Sequence, residues 1–174
     1  MGCERLAVQV CPPRPNMDNP YYELLVNAAI RFVSFRPRSE HEFREFLTKK
    51  LTKWKVTGHV LLDKVVARME ELGYADDEKF AVWWVDQRTA FKPKGNRFIK
   101  MELKAKGVSE AVIDSVLASR GSQSLLEAAR KAVEKKMSLW VKLPIFERKK
   151  KLYDYLGRRG FDFEIIRKLI DERE

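Results

Sequence analysis

The sequence predicts an all-α fold of three tandem three-helix modules, each stacked on its neighbour. Three observations predict it. Apolar residues recur at spacings of three and four almost throughout after residue 20. No stretch shows the strict alternation of a half-buried strand. One apolar pattern returns three times along the chain.

The first helix carries Leu25, Ala28, Ala29 and Phe32 on one face, and Pro37 marks its stop. Ser39 with Glu42 reads as a capping box that opens the second helix, where Phe43, Phe46 and Leu47 face inward. The third helix buries Leu61, Leu62, Val65, Val66 and Met69 and closes at Gly73. Asp76 or Asp77 caps a fourth helix through Phe80, Ala81, Trp84 and Val85.

Beyond this point the repeat organises the chain. Phe43 and Leu47 correspond to Ile99 and Leu103, then to Leu152 and Leu156. The pairs Leu61-Leu62 and Val65-Val66 correspond to Val112-Ile113 and Val116-Leu117, then to Ile165-Ile166 and Leu169-Ile170. Gly107 before Val108, and Gly160 before Phe161, read as helix-ending glycines followed by their hydrophobic contacts. The first module carries five extra residues around Trp54 to Gly58. The expected modules are about 21–74, 76–120 and 122–174.

Residues 1–20 lack a helical period and hold four prolines and both cysteines, so they read as a tail. Leu6-Ala7-Val8 is too short for a signal-peptide core, and Leu6 stands where a myristoylation signal has Ser or Thr. Cys3 and Cys11 are incidental thiols or a redox pair. The 174 residues contain 35 Lys and Arg against 25 Asp and Glu, giving +10, and 45% are apolar. That composition excludes wholesale disorder, and no apolar run approaches a membrane span. Two histidines, His41 and His59, make no metal cluster, and no phosphate-binding glycine motif occurs. No cofactor, metal or catalytic constellation is expected.

The positive charge is local. Residues 88–106 hold Arg88, Lys92, Lys94, Arg97, Lys100, Lys104 and Lys106 against Glu102 alone. At about 100° per residue, Arg97, Lys100 and Lys104 fall within about 60° of each other, opposite Ile99 and Leu103. Such a stripe suits a phosphate backbone or an acidic protein groove; a solvated helix face is the plain alternative. Arg148, Lys149, Lys150 and Lys151 begin a later helix, where the helix dipole disfavours cations, and so read as a binding feature. Arg158 and Arg159 sit at that helix's end, as a cap, a binding site or both. Lys50, Lys106 and Arg159 share one repeat position, where cations complement the dipole. Among the aromatics, Trp83 and Trp140 are candidates for exposure.

Four segments, in this order and spacing, resemble the RecX family: Phe35-Arg36-Pro37-Arg38-Ser39-Glu40; Glu71-Leu72-Gly73-Tyr74-Ala75-Asp76-Asp77-Glu78-Lys79-Phe80-Ala81; Lys92-Pro93-Lys94-Gly95 with Ile99 and Glu102 to Val108; and Leu156-Gly157-Arg158-Arg159-Gly160-Phe161. The departures are the proline-bearing tail, the extra residues near Trp54 and the small Ala75. The resemblance implies a non-enzymatic, cytoplasmic bacterial regulator built from three three-helix repeats stacked into an elongated, curved array. Its implied partner is the RecA recombinase and its filament on single-stranded DNA, with the basic stripes engaging acidic filament surface, exposed DNA phosphate, or both. Its implied effect is to lower the ATPase, recombinase and coprotease activities of RecA. A monomer without membrane contact is expected. The alternatives are a stand-alone basic DNA-binding protein of helix-turn-helix type and a helical-repeat adaptor. The candidate recognition helices at 109–118 and 162–171 are mostly apolar and acidic, which weighs against the first.

Overall fold

The computed structural model describes residues 19–56 and 58–172. Cys3, Cys11 and the tail reading as far as residue 18 lie outside the described residues, as does Thr57. Nine helices occur among the described residues: α1 (Pro20–Val33), α2 (Glu40–Trp54), α3 (His59–Glu71), α4 (Asp77–Phe91), α5 (Asn96–Ala105), α6 (Glu110–Ala118), α7 (Ser122–Trp140), α8 (Ile145–Arg158) and α9 (Phe163–Asp171). No strand occurs among them; Arg38 and Ala75 form an isolated parallel bridge.

The helix starts follow local chemistry. Asn19 accepts from the Tyr21 amide at 2.9 Å, and Pro20 supplies the fixed φ of a first helical residue. Asn19 and Pro20, read as the end of the tail, therefore open α1. Ser39, Asp76 and Ser109 cap α2, α4 and α6 with side-chain acceptors. Asp76 is the cap of α4; Asp77 instead accepts from the Glu40 amide at 2.9 Å. Ser39 makes only half of the expected capping box. Its hydroxyl accepts from the Glu42 amide, but the Glu42 carboxylate turns to Arg36 and Lys106.

Three consecutive helices share each core. Phe43, Leu47, Val65 and Met69 are fully buried in the first. Phe80, Ile99, Leu103 and Ile113 are fully buried in the second, and Ala129, Val133, Leu156 and Leu169 in the third. Each large aliphatic or aromatic side chain buried in this way contributes roughly 1.5–3 kcal/mol before entropy is counted. Helix packing is concentrated within these triples.

The triples meet through helix ends. The C-terminus of α8 meets the N-terminus of α5: the Gly95 amide donates to the Arg159 carbonyl at 2.9 Å, and the Arg97 amide to the Gly160 carbonyl at 3.2 Å. The C-terminus of α5 meets the N-terminus of α2: the Ser39 hydroxyl donates to the Lys106 carbonyl at 2.7 Å. Orphan carbonyls of one helix thus satisfy donors of the next, and opposite dipole ends adjoin.

Gly107 and Gly160 have φ of +78° and +80°, as the helix-ending reading requires. They have a second reason to be glycine. A Cβ on Gly107 would lie 2.4 Å from His41 Cβ, and one on Gly160 would lie 2.5 Å from the Phe98 amide nitrogen.

The outer helices of this chain of contacts depart from the middle one. By core register, Arg148 in α8 corresponds to Gly95, yet α8 begins about one turn earlier, at Ile145. Leu51 corresponds to Gly107, yet α2 runs on to Trp54 and ends at Lys55, whose φ is +57°. The extra residues of the first module therefore lengthen α2. Of these three helices, among the described residues, α5 with its 10 residues is the one that meets a neighbouring triple at both ends.

Candidate basic interface

The loop after α4 and the end of α8 converge. Arg159 Nη1 donates to the Pro93 carbonyl at 3.3 Å, and its guanidinium lies 4.7 Å over the Tyr155 ring. Lys94 Nζ lies 3.5 Å from the centre of the Phe98 ring. Burial lowers the pKa of Lys94, and the nearby Arg159 charge lowers it further. Lys92, Arg97 and Arg158 are exposed at the same junction. Two basic segments far apart in sequence thus form one surface, since Gly95 and Arg97 hydrogen-bond to Arg159 and Gly160.

Arg120 holds this loop from below. Its Nη1 donates to Asn96 Oδ1 at 2.7 Å and its Nη2 to Thr89 Oγ1 at 3.2 Å. Burial depresses its pKa, with Asp86 acting in the opposite direction. Sequence reasoning missed Arg120, which looks like any cation just past a helix C-terminus.

The stripe on α5 divides into two parts. Arg97 has no carboxylate partner among the described residues. Lys100 Nζ lies 2.6 Å from Asp114 Oδ1 and 3.1 Å from Glu110 Oε1, and hydrogen bonding to both raises its pKa. Lys104 Nζ lies 2.9 Å from Glu110 Oε1. These two lysines tie α5 to α6 on the module surface. Near-surface pairs of this kind contribute little to stability, but they neutralise much of the local field.

Lys106 closes the stripe at the first junction. Its Nζ lies 2.8 Å from Glu42 Oε1, and Arg36 Nη2 lies 2.9 Å from the same oxygen. Burial pushes the Glu42 carboxyl up, but the two cationic donors outweigh it and hold its pKa below the ordinary range. Trp84 Nε1 and Arg88 Nε both donate to Glu102 Oε2.

The second sequence cluster lies elsewhere. Arg148 falls after the first turn of α8, because the helix starts at Ile145, so the four cations do not begin it. Arg148 and Lys149 are half-buried, while Lys150 and Lys151 are exposed; Lys149 is engaged within the chain. Ten residues of helix, about 15 Å, separate Arg148 from Arg158. The structure therefore joins Lys92, Lys94, Arg97, Arg158 and Arg159, and sets Arg148 to Lys151 apart. Trp83 and Trp140 are both half-buried, Trp83 beside Phe80 and Trp84, and Trp140 edge-on to Tyr155.

No group of three or more His, Cys, Asp or Glu side chains is placed to hold a metal among the described residues. No helix among them is long and apolar enough to cross a membrane. What the surface offers chemically is cationic donors for anions, with aromatic rings beside them.

Comparison with known proteins agrees with this architecture. Residues 76–117 match the model of the second three-helix domain of RecX, and residues 123–170 that of the third. The chain is 36% identical over 145 residues to the regulatory protein RecX of Chlorobium phaeobacteroides (strain BS1), covering 83% of this chain and 89% of that protein. It is 32% identical over 148 residues to the regulatory protein RecX of Bacillus subtilis (strain 168), covering 85% of this chain and 54% of that protein. It thus spans about half the length of the Bacillus relatives it matches. Its fold is like that of the crystal structure of RecX from Lactobacillus salivarius, with a TM-score of 0.76 at 20% identity, covering 87% of this chain and 95% of that one. The repeated triple, its matched domain models and its similarity to nearly the full length of a relative lead to one assignment: the chain belongs to the RecX family of regulatory proteins.

Proposed function

We propose that this protein regulates the RecA recombinase without catalysing a reaction of its own. It binds RecA and its filament on single-stranded DNA, and lowers the ATPase, recombinase and coprotease activities of the filament. The observation that carries the reading, beside family membership, is the junction surface. Lys92, Lys94, Arg97, Arg158 and Arg159 present cations from two modules at one place. In this reading the modules, about 21–74, 76–120 and 122–174, act as three linked units of one cytoplasmic monomer.

Several modest contacts on one linked body multiply by effective concentration, so no single site needs high affinity. Binding shifts the filament toward disassembly only through unequal affinity for its assembled and disassembling states. The junction faces acidic protein surface or exposed DNA phosphate; Lys100 and Lys104, held by Glu110 and Asp114, and Arg148 to Lys151, set apart along α8, join the contact as secondary cations.

The test is the DNA-dependent ATPase of RecA, titrated with this protein after filaments form. A fall at substoichiometric protein is expected. An unchanged rate, with no binding to the filament, overturns the proposal.

A further inference from the structure

The end of α7 and the start of α8 expose apolar side chains in one place. Leu139 is 66% exposed, Val141 59%, Ile145 54% and Phe146 75%. They are four of the eleven large exposed hydrophobics among the described residues, and the other seven are scattered along the chain. Single exposed hydrophobics are ordinary, whereas four within residues 139–146, where α7 turns into α8, make a patch of the kind that marks an interaction site.

The patch is rimmed by an excess of positive charge. Lys135, Lys136, Lys142 and Lys150 are exposed and have no carboxylate partner among the described residues. Glu134, Glu147 and, one turn beyond Lys150, Asp154 offset them in part. The occupant that matches is a protein segment with an apolar face bordered by carboxylates. The other occupants fit less well. Lys142 interrupts the apolar run between Val141 and Ile145, so no unbroken apolar tip is available to enter lipid. Three of the four apolar side chains are aliphatic and have no ring to stack on a base. A second copy packed tip against tip would set one lysine rim against the other, and like charges would oppose it.

We propose that the α7–α8 tip docks an acidic amphipathic protein segment displayed by RecA, separately from the basic junction surface. The identity of the partner rests on the regulatory reading above; the chemistry of the segment rests on the patch alone. The tip supplies apolar anchors, and the lysine rim supplies orientation and encounter rate.

The test uses the full chain and the double variant Ile145→Glu with Phe146→Glu. Binding to preformed RecA filaments, to single-stranded DNA alone and to phosphatidylserine-containing vesicles is measured, with melting by circular dichroism. The double variant is expected to lose at least tenfold in filament affinity, with DNA affinity and melting unchanged, while Phe146→Leu retains binding. Filament binding by the double variant within twofold of the parent overturns the tip proposal and leaves the regulatory reading standing. Equal losses on DNA alone assign the patch to nucleic acid, and a loss confined to vesicles assigns it to lipid; either overturns the proposal. If the parent itself does not bind RecA, the regulatory reading fails. The tip is then tested with a synthetic helical peptide carrying leucines on one face and glutamates on the other. Binding by the parent and not by the double variant upholds the segment chemistry; no binding by either overturns it.

Discussion

The Ser39 hydroxyl stands between two helices, accepting from the Glu42 amide at 3.2 Å and donating to the Lys106 carbonyl at 2.7 Å. One oxygen therefore caps α2 and fastens the first module to the second. Ser39→Ala removes a cap worth roughly 0.5–2 kcal/mol and a hydrogen bond worth roughly 0.5–1.5 kcal/mol. Ser109→Ala removes only a cap, at 3.4 Å from the Val112 amide. Urea denaturation should show a larger loss for Ser39→Ala; equal losses would mean the bond to Lys106 contributes nothing.

Gly95 has an ordinary φ of −77°, so alanine there suffers no backbone strain. Its Cβ would nonetheless lie 2.0 Å from the Gly160 carbonyl oxygen. Gly121 also caps a helix, α7, and a Cβ there meets nothing within 4 Å. Gly95→Ala should lower the melting temperature well below that of Gly121→Ala and speed hydrogen exchange at the Arg97 amide, which donates to Gly160. Unchanged exchange at Arg97 would show that the junction absorbs the methyl group.

Glu42 makes the first junction sensitive to acid. Burial raises its carboxyl pKa, but bonds from Arg36 and Lys106 outweigh burial, and the folded pKa lies below the ordinary value. Its stabilisation is present above the unfolded pKa of about 4.3 and is lost as pH falls through the folded value. Asp77 runs the other way: burial raises its pKa despite the Glu40 amide bond, so acidification restores some stability there. Glu42→Gln should cost roughly 1.5–3 kcal/mol at pH 7, the worth of a charged hydrogen bond, and should flatten the acid limb. Asp77→Asn keeps an acceptor for Glu40 and should steepen it. Urea midpoints between pH 7 and 3 decide; a Glu42→Gln curve parallel to the parent's refutes the assignment.

Charge reversals should separate the two parts of the α5 stripe. Arg97→Glu with Lys92→Glu alters exposed, unpaired cations and should leave melting unchanged while weakening filament binding about tenfold. If both cations contact single-stranded phosphate, the slope of log affinity against log salt falls by about 1.4. Lys100→Glu with Lys104→Glu places like charges beside Glu110 and Asp114 and should lower the melting temperature. Adding Glu110→Lys and Asp114→Lys should restore it. Full inhibition by a folded Arg97/Lys92 variant would remove the junction from the interface.

Much of this fold is written in local pattern. The core positions from Leu25 to Ile170, the caps at Ser39 and Asp76, and the glycines at Gly107 and Gly160 all follow from period and backbone preference. The contacts between modules do not. Gly95 reads as part of a charged loop, because nothing near it in sequence announces the approach of Gly160. The candidate site was legible in composition but not in arrangement. Lys100 and Lys104 look free on a helical wheel, since their partners lie on α6, while Lys94 and Arg159 look unrelated until the helix ends meet. The extra turns of α2 and α8 were equally hidden, one in an unexplained insertion and the other in a run of lysines.

Helix α5, held at both ends, is a gauge block. Adding one residue within it would turn the third module relative to the first by about 100° and move it by about 1.5 Å. A residue added in the exposed part of α7, beyond its buried Val133, leaves those two modules in phase. The 10 residues of α5 thus set the pitch at which the outer modules face any helical partner, and its length tolerates less change than its sequence.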